Sequence, residues 1–290
     1  MRITVATRRS PLALAQSRAV AAALESNGHE VALLEMTTTG DRWSLAGAPQ
    51  QPGTDVKCMF VKELEEALLD GRADIAVHSA KDLPGELPSG LAVLATPVRE
   101  DPSDVLVGSP GGLDALPAGA VVGTTSPRRR AQVLAARPDL QVAEVRGNVD
   151  TRLAKLDAGD VDALVLAAAG LARLGISRPD AVPLTGERFL PAAGQGIVAV
   201  EGRADDEPLR EALAPLDDPA SRACLAAERA FLARLGGGCS VPAGALCIRD
   251  GESLRMRAWW EGSGATAEVA GDVGDPAGLG ARAAQEVGAP

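Results

Sequence analysis

The sequence predicts an α/β protein: two related domains flanking a central cleft, followed by a small α+β domain. Three observations predict this. A strand, turn, Ser-Pro, helix grammar occurs twice; a helix, Gly-x-x-Asp, apolar strand grammar also occurs twice; and both patterns give way to a different one near residue 215. At 290 residues the chain is too long for one small core and fits two or three domains of ordinary size.

The first copy opens with the strand RITVATR, which runs into SPLALAQSRAVAAALESNG. Ser10 suits the N-cap, Pro11 the first helical position, and Gly28 lies just past the end. The second copy, AVVGTTSPRRRAQVLAARP, puts Ser126 and Pro127 in the same two places. Further on, LEEALLDGRADIAVHS and RLAKLDAGDVDALVLA align Gly71 with Gly159 and Asp74 with Asp162. Val61, Leu64 and Leu68 form a stripe that one helix face buries, and DIAV and DALVLA are continuously apolar, as in mostly parallel sheets covered on both faces. Ligands of such sheets collect at the carboxyl ends of strands, where helix N-termini offer free N–H groups. Both Ser-Pro helices begin there, so two facing domains would make a cleft with an anion-binding helix end on each wall.

TPVREDPSD (96–104) and FLPAAGQGI (189–197) read as two chain crossings. Domain 1 is therefore expected over 1–98 with 197–216, domain 2 over 99–196 and domain 3 over 217–290. Beyond PLDDPAS come the helix SRACLAAERAFLARL, a glycine run, the strand-like pieces VPAGALCI, SLRMRAWW and ATAEVAG, and a last helix near 276–287.

The net charge of −10 argues against a general nucleic-acid or anionic-membrane binder, which needs a basic face. No apolar run approaches the roughly 20 residues of a membrane span. The opening MRITVATRRSPLALAQ has no uninterrupted apolar core before a cleavage site, so the expectation is a cytoplasmic protein. No apolar helix face demands a dimer, and a monomer is expected. Cys58, Cys224, Cys239 and Cys247 are scattered without a C-x-x-C pair, and His29 and His78 are the only histidines. Neither a disulfide framework nor a metal site is expected. The nucleotide signatures G-x-G-x-x-G after a strand and G-x-x-x-x-G-K-[ST] are absent from the sequence.

Three groups of residues are candidates for chemistry. HSAKDLP leaves a buried strand at its carboxyl end, placing Ser79, Lys81 and Asp82 beside the cleft, either as a surface turn or as an active-site loop. Arginines recur at matching points: Arg8 and Arg9 before Ser10, Arg128 to Arg130 after Ser126, then Arg146, Arg152 and Arg173. A coding bias towards arginine explains single cases; a cluster of guanidinium forks around one cleft would suit a small polyanion. Cys239 hangs on three glycines in LGGGCSVP, as a structural loop thiol or as a thiol exposed for a purpose. Cys224, in an Ala-rich helix, and Cys247, in an apolar strand, read as core residues.

Blocks along nearly the whole chain resemble the hydroxymethylbilane synthase (porphobilinogen deaminase) family: ATRRSPLALAQ, FVKELEEALLDGRADIAVHSAKDLP, REDPSDVLV, GTTSPRRRAQ, RGNVDTRLAKLDAG, LAAAGLARLG, LPAAGQG and AERAFLARLGGGCSVP. The resemblance implies that the first two domains are similar to periplasmic binding proteins. It also implies an enzyme that joins four porphobilinogen molecules with loss of ammonia and hydrolyses off a linear tetrapyrrole. The family's cysteine carries a dipyrromethane cofactor through a thioether, and its motif falls on Cys239. Its catalytic aspartate matches Asp82. By similarity, Arg8, Lys81, Arg128, Arg129, Arg146, Arg152 and Arg173 would bind cofactor and substrate carboxylates, with Ser10, Ser79, Thr124 and Ser126 adding hydrogen bonds. Between Trp43 and Phe60 the chain departs from the family's glycine-rich, lysine-bearing loop; Lys57 stands in for that lysine, and Cys58 takes a glycine's place.

Two rival readings use the same features. A non-catalytic binding module of periplasmic-binding-protein type would use the cleft for a small anion and need no tethered cofactor. A redox or nucleophilic enzyme would keep Cys239 as a free, readily alkylated thiolate.

Overall fold

The computed structural model describes residues 1–40, 58–187, 189–236 and 241–289. The chain starts with β1 (Arg2–Arg8), α1 (Pro11–Ser26), β2 (Glu30–Met36), α2 (Cys58–Leu69), β3 (Ile75–Ser79) and β4 (Leu91–Ala95). It then crosses to β5 (Asp104–Val107), β6 (Val121–Gly123), α3 (Pro127–Ala136), β7 (Gln141–Ala143), α4 (Val149–Asp157), β8 (Ala163–Ala167), α5 (Ala168–Arg173) and β9 (Val182–Leu184). A second crossing returns it to β10 (Val198–Arg203) and α6 (Glu207–Leu213).

Two five-stranded sheets result, in the orders β2-β1-β3-β10-β4 and β7-β6-β8-β5-β9. These are one topology written twice. In each, the strand reached by a crossing inserts antiparallel between two others, β10 between β3 and β4 and β5 between β8 and β9. The neighbours β2-β1-β3 and β7-β6-β8 run parallel. The expected pair of α/β domains is what the chain forms, with four strands of each sheet pointing one way and the inserted strand the other.

The repeated grammar has a physical use in both halves. Ser10 Oγ accepts the Ala13 N–H and Ser126 Oγ accepts the Arg129 N–H, each at 3.4 Å, with Pro11 and Pro127 opening the helices. Asp74 Oδ2 accepts the Thr4 N–H at 2.7 Å, and Asp162 Oδ2 accepts the Val121 N–H at 2.6 Å. Each aspartate thus clamps the start of a neighbouring strand. Gly71 (φ 70°) and Gly159 (φ 82°) supply the left-handed turn that precedes each clamp. The stripe Val61, Leu64 and Leu68 is buried, as its spacing predicts.

The remaining residues form α7 (Pro219–Arg234), the antiparallel strands β11 (Ala243–Asp250), β12 (Ser253–Trp260) and β13 (Thr266–Asp272), and α8 (Pro276–Glu286). Phe231, Leu254, Met256 and Leu279 fill the core between these helices and the sheet. Cys224 and Cys247 belong to that core, as expected. The adjoining Cys224 sulfur and burial push the Cys247 thiol up, far from a reactive thiolate.

One buried carboxylate joins this third unit to both crossings. Glu228 of α7 is fully buried and pairs with both ends of the Arg99 guanidinium, at 2.7 and 3.2 Å. It also accepts the Gly194 N–H at 2.6 Å and the Cys247 N–H at 2.7 Å. Arg99 lies in the first crossing, Gly194 in the second, and Cys247 on β11. At Gly196 (φ 85°) the crossings touch so closely that a Cβ would overlap the Glu100 carbonyl oxygen. No helix among the described residues is long and apolar enough to cross a membrane. No described group of three or more His, Cys, Asp and Glu side chains could hold a metal ion.

Candidate active site

β3 ends at Ser79 and runs straight into one 3-10 turn, Ala80–Asp82. Ala80 and Leu83 are buried, and the Ala80 N–H donates to the Ile197 carbonyl of the return crossing at 2.9 Å. That anchoring leaves Lys81 and Asp82 half-buried at the carboxyl end of the sheet. Among the described residues, no hydrogen bond or ion pair engages the Asp82 carboxylate. Its charge favours the protonated forms of Lys81 and Arg152. Ser79 Oγ lies 2.9 Å from Gln16 Nε2 of α1.

The opposite wall is the first turn of α3. Arg128 and Arg129 are buried there against Asp104, the residue that opens β5. Arg128 Nη1 donates to Asp104 Oδ2 at 2.6 Å and to the Leu190 carbonyl at 2.7 Å. Arg129 donates to Asp104 Oδ1 through Nη2 at 2.7 Å and Nε at 3.0 Å, and to the Val165 carbonyl at 3.0 Å. Burial opposes the charge on Asp104, yet Arg128 and Arg129 overcome it by charge and hydrogen bonding and hold the carboxyl well below the usual carboxylate range.

Gln195 of the return crossing links the walls. Its Nε2 donates to Asp104 Oδ1 at 2.9 Å and to the Pro102 carbonyl at 2.7 Å, which turns Oε1 towards Lys81 Nζ, 3.5 Å away. Burial, then the Arg129 charge, lower the Lys81 pKa to about 8, with Asp82 and Asp104 opposing. Burial and Arg129 likewise lower Arg152 to about 10, against Asp82. Arg152 Nε is tied to the Gly147 carbonyl at 2.8 Å. Lys81, Arg128, Arg129 and Arg152 therefore gather around Asp82 and Asp104, four cations against two carboxylates, and that excess suits a polyanion.

The other expected residues have varied settings. Thr124 is buried, and its Oγ1 accepts the Ser126 N–H at 3.1 Å. Arg173 Nη2 holds the Gly196 carbonyl at 2.6 Å, and burial lowers its pKa, with Glu100 opposing. Arg8 lies over the Phe60 ring, 4.3 Å from its centroid, and Arg146 pairs with Glu144 at 3.0 Å. Neither is paired with Asp82 or Asp104. Lys57, Cys239 and the divergent segment before Lys57 lie outside the described residues. Asp104, Gln195 and Gln132, whose Oε1 is 3.1 Å from Arg128 Nη1, had no sequence-based role. The signal for Asp104 was a lone charge opening an otherwise apolar strand, DVLV.

A family model described as "Porphobilinogen deaminase, dipyromethane cofactor binding domain" matches residues 3–211, and one described as "Porphobilinogen deaminase, C-terminal domain" matches residues 222–288. The chain belongs to the porphobilinogen deaminase family. A porphobilinogen deaminase from Roseiflexus castenholzii is 48% identical, covering 98% of this chain and 95% of its own. One from Rubrobacter xylanophilus is 49% identical, covering 88% of this chain and 83% of its own. Among solved structures, a periplasmic substrate-binding protein of an ABC transporter from Coxiella burnetii aligns with 77% of this chain and 94% of its own, at 17% identity and a TM-score of 0.41. A likeness that distant says nothing about what is bound. Within the porphobilinogen deaminase family frame, the first matched segment spans both five-stranded sheets and the second spans most of the third core.

Proposed function

We propose that the protein is a hydroxymethylbilane synthase of tetrapyrrole biosynthesis. It condenses four porphobilinogen molecules head to tail, releasing one ammonia at each step, and sets free linear hydroxymethylbilane by hydrolysis. In each condensation the bond between the aminomethyl carbon and nitrogen breaks, and a carbon–carbon bond forms to the neighbouring pyrrole, which loses a proton from the attacked carbon. The observation that carries the chemical assignment is Asp82: a carboxylate with no hydrogen-bond partner among the described residues, in a setting of net positive charge.

Cys239 is assigned as the thioether anchor of a dipyrromethane cofactor. The donor set fits such a group, because each of its pyrrole rings carries an acetate and a propionate, and Lys81, Arg128, Arg129 and Arg152 exceed the local carboxylates in charge. When bound, the dipyrromethane supplies the nucleophilic pyrrole carbon to which the first substrate is joined.

Asp82 stabilises the positive charge that develops on pyrrole nitrogen and moves protons there. Lys81, Arg128, Arg129 and Arg152 bind carboxylates beside it, and Arg8, Arg146 and Arg173 extend the cationic lining. Ser79 and Thr124 add hydrogen bonds. The hydroxyls of Ser10 and Ser126 accept cap bonds, so towards ligand they act as donors. Lys57 adds a contact from its own segment. The domain limits 1–98 with 197–216, 99–196 and 217–290 divide the chain into the acid wall, the arginine wall and the cysteine-bearing unit. The protein works as a cytoplasmic monomer on a small-molecule substrate, without a nucleic-acid or membrane partner.

Incubation with porphobilinogen tests the reading, with released ammonia and porphyrin absorbance after acid oxidation of the product as readouts. Both should rise together. Binding of porphobilinogen without ammonia release would instead identify an anion-binding module.

A further inference from the structure

Domain 2 shows how this fold packs without charge at a place where domain 1 is charged. With Gly71 aligned on Gly159, Glu65 of α2 corresponds to Leu153 of α4 and His78 of β3 to Leu166 of β8. By strand register, Glu201 of β10, opposite Ala76, corresponds to Val107 of β5, opposite Leu164. Leu153, Leu166 and Val107 belong to one apolar cluster. Their counterparts are just as hidden: Glu65 is 8%, His78 5% and Glu201 0% exposed.

His78 Nε2 lies 3.0 Å from Glu201 Oε2, an ion-pair distance without hydrogen-bond alignment. Among the described residues, neither oxygen of Glu201 nor Oε1 of Glu65 has a hydrogen-bond partner. Ala76 and Val93 flank Glu201, and Ala199 faces His78. From β1 come Ala6 and Arg8, the latter over the Phe60 ring. From α7 comes Leu225, and from α2 Glu66, a further carboxylate that acts on Glu65 and lies 3.8 Å from Lys62. Buried carboxylates without partners cost stability, and replacing such a group by apolar residues of similar volume is often neutral or stabilising. The second sheet has made that replacement and retains the same topology. Packing alone therefore does not account for the cluster.

Its location suggests what does. His78 immediately precedes the Ser79–Asp82 turn, β10 follows the crossing that carries Gln195 and Ile197, and α2 presents Phe60 to Arg8. We infer that Glu65, His78 and Glu201 are positioning residues for the condensation: a buried polar group linking α2, β3 and β10 that sets the Asp82 turn against its neighbours. The inference rests on Asp82 being the acid of the site. Burial, then Glu201, push the Glu65 pKa up to about 7, with His78 opposing. The folded protein thus keeps a Glu65 proton that the unfolded chain has already released, and the penalty of ionising it appears as pH rises from about 5 to above 7.

The test copies domain 2 into domain 1: Glu65→Leu, His78→Leu and Glu201→Val together, measured as full-length protein with its cofactor. The variant should melt higher than wild type, by a margin that grows between pH 5 and pH 8, while kcat falls roughly tenfold or more through misplacement of the turn. Higher melting with unchanged kcat would overturn the inference, as would a lower melting point with unchanged kcat. If the triple variant does not fold, Glu65→Leu alone decides. It should lose the pH-dependent part of the melting curve and slow turnover with KM little changed; wild-type turnover across pH 6–9 would overturn the inference. The melting comparison can be made whether or not the wild type condenses porphobilinogen, so failure of that activity is read separately.

Discussion

The two five-stranded domains share a frame and divide the chemistry between them. At the end of the third strand, domain 1 has Lys81 and Asp82 where domain 2 has Ala169 and Gly170. At the first turn of the capped helix the distribution reverses: Arg128 and Arg129 in domain 2 take the places of Leu12 and Ala13 in domain 1. The inserted strand follows suit. Asp104, opposite Ala167, corresponds by register to Val198, opposite Ser79. Arg128 and Arg129 thus occur with Asp104, and their apolar counterparts Leu12 and Ala13 with Val198. Even shared residues are redirected: Gln16 serves Ser79, while its counterpart Gln132 serves Arg128 and the Leu190 carbonyl. The difference teaches that one frame folds around two different side-chain sets, and the proposed roles of Asp82 and the arginines fall where the sets differ. The walls are close, since a Cβ on Gly170 would lie 4.0 Å from Leu12 Cδ2.

The sharpest way to break this contrast is Asp82→Asn. With the acid on one wall only, tetrapyrrole formation should fall by about 10²-fold or more while fold and cofactor are retained. Near-normal turnover would mean the acid lies elsewhere. Next is Asp104→Val, which leaves Arg128 and Arg129 buried without their shared carboxylate and should cost about 3–5 kcal/mol in denaturant unfolding. Adding Arg128→Leu and Arg129→Ala, the full domain 1 set, should recover most of that stability and still abolish activity. Failure to recover it would show that the two frames are not interchangeable.

A smaller effect separates Lys81 from its alanine counterpart. With its pKa near 8, Lys81 loses a carboxylate-binding charge as pH rises, so kcat/KM should decline above about pH 8. Lys81→Arg should carry that limb to higher pH; an unmoved limb would assign it to another group. The smallest effect tests what the domains share. Ser10→Ala and Ser126→Ala should each cost about 1 kcal/mol, as N-cap losses do. A large disparity in thermal melting would show that one hydroxyl does more than cap.

What could be read from the sequence was local. Ser-Pro caps, the Gly-x-x-Asp units and the apolar strands declare themselves within a few residues, so both sheets and the third core were foreseeable. The Asp82 turn was legible because it leaves a buried strand. Asp104 and Gln195 were not, because their partners are remote: Asp104 meets Arg128 and Arg129 24 and 25 residues on, and Gln195 reaches back 91 and 114 residues to Asp104 and Lys81. Arg128 and Arg129 were expected as ligands for substrate carboxylates, and the fold adds that a protein carboxylate holds them first. Likewise, His78 had no visible role until register placed Glu201 beside it.

The account turns on a tethered chain growing between an acid wall and a cationic wall, and denatured intact mass with peptide mapping tests this most directly. Active wild-type protein should exceed its sequence mass by two linked pyrroles, mapped to the peptide containing Cys239, and a Cys239→Ser variant should carry no such addition. Active protein of unmodified mass, or the addition mapped to another residue, would contradict it.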